Sequence, residues 1–120
     1  MRRLGLALLM LMLAAPAGAQ EWEPRRVAEI QALDKVTARV TVLRATLGQP
    51  AQFGSLSILV RSCQARPADE VPDAAAWMEI TDSRSPPEVG PVFRGWMFAE
   101  NPALNMLEHP VYDLRVLACR

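Results

Sequence analysis

From Lys35 to the C-terminus, apolar side chains return at every second position in one run after another, and glycine or proline interrupts between the runs. A half-buried β-strand is the local structure that this period of two admits. Val36, Ala38, Val40 and Val42 share one face of 35–47, against Thr37, Arg39 and Thr41. After Gly48-Gln49-Pro50, the residues Leu56, Ile58 and Val60 share a face, and Ser57, Leu59, Arg61 and Cys63 share the opposite one, which points Cys63 away from the Leu-Ile-Val row. Residues 92–98 read as an aromatic strand with Gly95 in its middle, where glycine marks a bulge or the close approach of another chain. In the last run Val111, Asp113, Arg115, Leu117 and Cys119 alternate with Tyr112, Leu114, Val116 and Ala118.

Residues 64–73 and 83–91 are rich in proline and polar groups and read as loops. Residues 73–80 fit either a strand, with Ala76, Met78 and Ile80 on one side, or a short helix, which Ala75 and Ala76 favour. Asn101–Leu107 reads as one or two turns of helix, with Asn101 as N-cap and Pro102 at the first position. The sum is an all-β chain of about five strands and one short helix, a small antiparallel sandwich or open barrel. One β domain is expected over 35–120. Residues 20–34 are expected to lead into it, because Val27, Ile30 and Leu33 recur at helical spacing there.

The first residues have a different character. Arg2 and Arg3 precede an apolar run from Leu4 to Ala15, and Pro16-Ala17-Gly18-Ala19 follows before the polar Gln20. That order predicts a signal peptide over 1–19, cut after the A-x-A pattern of Ala17 and Ala19, and a periplasmic mature chain. The twelve-residue run reaches only ~18 Å as a helix, against a hydrocarbon core of ~30 Å, so no stable membrane span is expected after cleavage. Polar residues do not flank Arg2-Arg3, and ordinary unfolded export is expected over the twin-arginine route.

The chain carries 13 Lys+Arg and 13 Asp+Glu; loss of Arg2 and Arg3 leaves a formal charge of −2. A slightly acidic domain with scattered arginines lacks the basic stripe that nucleic acid requires, so no nucleic-acid partner is expected. The two cysteines, Cys63 and Cys119, are expected to pair in an oxidising compartment. Closing a loop of that length stabilises by roughly 4 kcal/mol in the chain-entropy picture. The spacing matches neither the C-x-x-C of thiol catalysts nor a four-ligand zinc set.

The stretches Phe53-Gly54-Ser55-Leu56-Ser57-Ile58, Arg61-Ser62-Cys63, Gly95-Trp96-Met97-Phe98-Ala99, Asn101-Pro102-Ala103-Leu104-Asn105 and Glu108-His109-Pro110-Val111-Tyr112-Asp113, closing on Cys119, resemble a proteobacterial family called domain of unknown function 2155. The resemblance covers nearly the whole mature chain. It implies a fold-sized unit and an envelope location, and it brings no established activity.

The densest set of functional atoms is Glu108, His109, Tyr112 and Asp113, with Trp96 and Asn105 near it. Read as an enzyme, a small hydrolase or metal-dependent enzyme would use His109 as general base, oriented by Glu108 or Asp113, with Tyr112 as donor. No nucleophile elbow and no second histidine accompany it, so no catalytic residue, metal ligand or cofactor is assigned. Read as structure, His109 caps backbone carbonyls where the short helix ends. Trp77, Trp96, Phe93 and Phe98 read as core filling, in preference to a groove for sugar or peptide. Gly95 offers a sheet edge to which a partner strand can add. These residues favour a non-enzymatic binding module with an envelope protein as partner. Its surface would be an edge strand or the Trp96–Phe98 and Asn105–Asp113 region.

Overall fold

The computed structural model describes residues 21–120; the expected leader and its cleavage site lie outside the described residues. The chain forms β1 (Glu23–Pro24), β2 (Val27–Asp34), β3 (Arg39–Thr46), β4 (Ala51–Phe53), β5 (Leu56–Ala65), β6 (Ala74–Asp82), β7 (Phe93–Phe98) and β8 (Tyr112–Cys119). Two 3-10 turns, Pro87–Val89 and Pro102–Leu104, sit in the connections before and after β7. The strands make two antiparallel sheets. One has the order β1-β5-β6-β7 with β4 also on β5, and the other has the order β3-β2-β8. A single core of residues from both inner faces joins them, as in a sandwich.

Alternation decides which residues meet there. Leu56, Ile58 and Val60 of β5 and Ala76, Met78 and Ile80 of β6 face Ala28, Ile30 and Ala32 of β2, all without measurable exposure. Burying each of the larger side chains contributes on the order of 1.5–3 kcal/mol.

Residues 27–34 are a strand where spacing had suggested a helical turn. Val27, Ile30 and Leu33 mislead because the buried set is Ala28, Ile30 and Ala32, one residue in two, carried by small side chains. β2 is the middle strand of its sheet. The stretch from β1 to β2 changes sheets at Arg25 and Arg26: Arg25 N–H donates to Cys63 O, and Arg26 N–H donates to Arg120 O. Residues 74–82 are likewise strand, not helix.

The valines of 35–47 are also not core. Residues 35–38 turn, and β3 pairs with β2 so that Leu43 and Ala45 point inward, while Val40 and Val42 are each 56% exposed. Residues 101–107 form only a 3-10 turn; Pro102 opens it, and the Asn101 side chain makes no capping bond. The apolar anchor of that segment is Leu107, buried beyond the turn.

Cys63 and Cys119 are disulfide-bonded, with Cα atoms 5.6 Å apart. The bond ties β5 of one sheet to β8 of the other. Strict alternation would have turned Cys63 outward, yet it is 1% exposed. The reason is a bulge: Val60 pairs with Met78 and Ser62 with Trp77, so Arg61 is an extra residue and every later side chain changes face. β8 does the same. Ile30 pairs with Val116 and Glu29 with Ala118, Leu117 is the extra residue, and Cys119 turns inward beside Ala28.

Candidate functional site

Asp82, at the end of β6, accepts the backbone N–H of Arg84 at 2.9 Å, which starts the turn after the strand. Its other oxygen lies 2.8 Å from His109 Nε2. On the far side of the ring, Nδ1 accepts N–H groups from Val111 at 3.0 Å and Tyr112 at 3.2 Å. Two backbone donors require a bare Nδ1, so the ring proton sits on Nε2 and is donated to Asp82. The pair is almost covered, with side-chain exposures of 9% for His109 and 7% for Asp82. The His109 hydrogen bond, helped by the Arg84 amide, holds the Asp82 carboxyl down at about 2.

Tyr112 adds the next contact. Its ring lies 5.1 Å from that of His109 and meets Phe53 edge-on at 5.3 Å. Its hydroxyl accepts the Ser55 amide at 3.4 Å and lies over Gly54. A Cβ at Gly54 would come within 2.2 Å of that oxygen, and Gly54 has φ +55°, so only glycine serves there. The Phe53-Gly54-Ser55 and His109–Tyr112 stretches, far apart in the chain, are therefore the two halves of one structural lock. Lys35 closes its outer side, donating from Nζ to His109 O and lying 3.6 Å from Asp113.

The six residues that sequence grouped together are divided by the fold. His109 and Tyr112 are in the lock, and the partner of His109 is Asp82 rather than Glu108 or Asp113. Glu108 is exposed. Asp113 pairs with Lys35 and lines a groove on the smaller sheet with Leu33, Met106 and Arg115. Asn105 lies at β7, where its Nδ2 donates to Trp96 O at 2.9 Å. It also fills the space over Gly95, where a Cβ would lie 2.9 Å from Asn105 Nδ2. The close neighbour that Gly95 admits is thus a side chain of the same chain. Asp82 was missed because no local pattern distinguishes an aspartate that ends a strand from any other turn residue. Among the described residues, no three His, Cys, Asp or Glu side chains converge as a metal-binding group.

The other accumulation is aromatic. Phe93 is core, but Trp77, Trp96 and Phe98 are not: they stand half-buried on the outer face of the larger sheet. The register puts Trp77 directly beside Trp96, and Ala75 beside Phe98. Trp22, just before β1, reaches the same face, and with Gln64, Ala75, Trp96 and Phe98 it lines a shallow depression. Ala75 is only 4% exposed yet stands apart from the inner core, and these rings line the depression over it. Arginines edge the platform. The Arg66 guanidinium stacks on Trp22 at 3.9 Å and that of Arg94 lies 5.6 Å from Trp77, while Glu79 lies 3.6 Å from both Arg61 and Arg94. Composition had suggested that so few aromatics would be needed inside. The register instead gives the inward positions of β6 and β7 to Ala76, Met78, Ile80, Phe93 and Met97, and the tryptophans fall on the alternate ones.

Residues 28–119 match the model of a family described as an uncharacterized protein conserved in bacteria, DUF2155. An uncharacterized protein of Rickettsia prowazekii (strain Madrid E), RP359, is 28% identical over 91 residues, which cover 76% of this chain and 59% of the relative. The match thus spans about three fifths of the relative's length. No solved structure matches.

Proposed function

Because the chain belongs to the bacterial family of unknown function DUF2155, whose matched region of 28–119 spans β2 to β8, we propose that this domain is an exported, non-enzymatic binding module of the cell envelope. Its capture surface is the aromatic face of the larger sheet. The observation that carries this reading is the placement of all three tryptophans, with Phe98, on the outer face. Large rings left half-exposed keep apolar area in contact with water, which ordinary packing gives no reason to retain. Rigid aromatic side chains gain much contact area on binding at little cost in side-chain entropy, and the surrounding Arg61, Arg66, Glu79 and Arg94 supply a polar rim. An extended segment of an envelope protein, lying across β6 and β7 with its apolar side chains on the rings, fits such a platform.

A hydrolase centred on His109 is not supported, because both ring nitrogens are already held by Asp82 and by two backbone amides. Export and a disulfide agree with each other, since the Cys63–Cys119 bond persists only where thiols are oxidised.

The test is capture from solubilised envelopes on immobilised mature protein, compared between wild type and Trp77→Lys or Trp96→Lys. The expected outcome is one or a few proteins retained by wild type and lost by both variants, each variant melting close to wild type. Variants that stay folded and retain the same proteins would overturn the assignment of this face.

A further inference from the structure

The free edges of the two sheets are not equally protected. On β7, Asn105 occupies the Trp96 carbonyl, and β8 lies against β6 and β7. β3 comes near β4 and β5 but pairs with neither: it is the outermost strand of its sheet, eight residues long, without proline, and its ladder to β2 runs without a bulge. The Leu47 N–H bond to Arg26 O sets the parity of that ladder. Thr41, Leu43 and Ala45 therefore bond to β2, and the N–H and C=O groups of Val40, Val42 and Arg44 point outward, where no strand among the described residues meets them. Natural sheets guard such an edge with charge, proline or a bulge, since it is a template for another strand. Here the outward positions carry two exposed valines, Val40 and Val42, and a single charge, Arg44.

We propose that β3 is a self-association site, at which two copies of this chain pair antiparallel about a two-fold axis at Val42 and extend the three-stranded sheet across both molecules. The register follows from the strand itself. Overlap within the strand is greatest with the axis at Val42 or at Leu43. An axis at Leu43 would need Thr46, whose C=O already accepts the Gln49 amide at 3.1 Å. An axis at Arg44 would set two guanidinium groups against each other. At Val42, Val40 of one copy faces Arg44 of the other, Arg39 faces Ala45, and no arginine opposes another. Arg44 lies 3.5 Å from Glu29 of its own chain, a carboxylate that Arg120 also holds at 2.6 Å. Beside the axis, Val40 neighbours Leu33 across the ladder, so the joined outer faces carry a continuous apolar strip. A second copy fits this edge because each half supplies what the other lacks, which a closed two-fold interface requires.

Sedimentation of the exported protein from roughly 1 to 500 μM is expected to show a monomer–dimer equilibrium, as suits an interface at the small end of the specific range. Val42→Lys, which places like charges at the axis, is expected to sediment as monomer throughout without a change in melting temperature; Val40→Lys replaces it if that variant fails to fold. Amide exchange gives the second readout: Val40, Val42 and Arg44 slow at high concentration, whereas Thr41 and Leu43 are slow at both extremes because they bond to β2. A wild type that is monomeric at every concentration overturns the proposal. So does a dimer that survives Val42→Lys, or one in which the three outward amides exchange as in the monomer.

Discussion

His109 shows how a residue that looks chemical can be structural. A histidine between Glu108 and Asp113 suggests a base, but what it does is join the end of β6 to the start of β8. Replacement by alanine removes the bond to Asp82 and leaves two covered amides without an acceptor, a loss of about 2–4 kcal/mol in denaturant unfolding. His109→Asn, which keeps an acceptor near Nδ1, is expected to recover more of that than His109→Leu; equal losses would show that the backbone bonds do not matter. The same bond fixes an acid dependence. The Asp82 carboxyl is lowered from 3.8 to about 2 in the folded protein. The native state therefore binds its proton less readily than the unfolded chain does. Its stabilisation is complete above about pH 4 and fades as pH falls through about 2, amounting to on the order of 1–2 kcal/mol for this largely covered group. Unfolding midpoints for wild type and Asp82→Asn should differ at pH 5 and converge toward pH 2.

At the level of elements, two one-residue bulges decide where the sulfurs go. Period-two patterning located β5 and β8 and grouped Leu56, Ile58 and Val60 correctly, but it assigned Cys63 to the wrong face because a bulge leaves the composition of a strand unchanged. Deleting Arg61 removes the extra residue and leaves Ser62 opposite Trp77 and Cys63 opposite Ala76, so Cys63 stays on the inner face. Thiol titration of the denatured variant should then find no free cysteine, whereas the Cys63→Ala/Cys119→Ala pair is expected to lose roughly 4 kcal/mol. Two free thiols in the deletion variant would mean that the bulge itself is needed to bring Cys63 to Cys119. β2 was hidden for a related reason: its inward residues include two alanines, too small to stand out against Val27 and Leu33. β3 was visible as a strand, but its larger side chains proved to be the exposed ones.

For the molecule as a whole, the two sheets present outer faces of different chemistry, aromatic and arginine-rimmed on β6–β7, aliphatic at the β3 edge. The aromatic face and the β3 edge belong to different sheets and share no ladder, so their variants should act independently. Val42→Lys is expected to leave envelope capture unchanged, and Trp96→Lys to leave the monomer–dimer equilibrium unchanged. A coupled response would place both activities on one surface. Alternation, proline, glycine and cysteine count act over a few residues or over composition, so they were enough for the all-β class, the pairing of the two cysteines and the positions of most turns. Which face of each strand is buried, that Asp82 completes His109, and that the tryptophans lie outside emerged with the fold alone. Those outcomes depend on register and on which strand lies opposite, relations between residues far apart in the chain that no local pattern encodes.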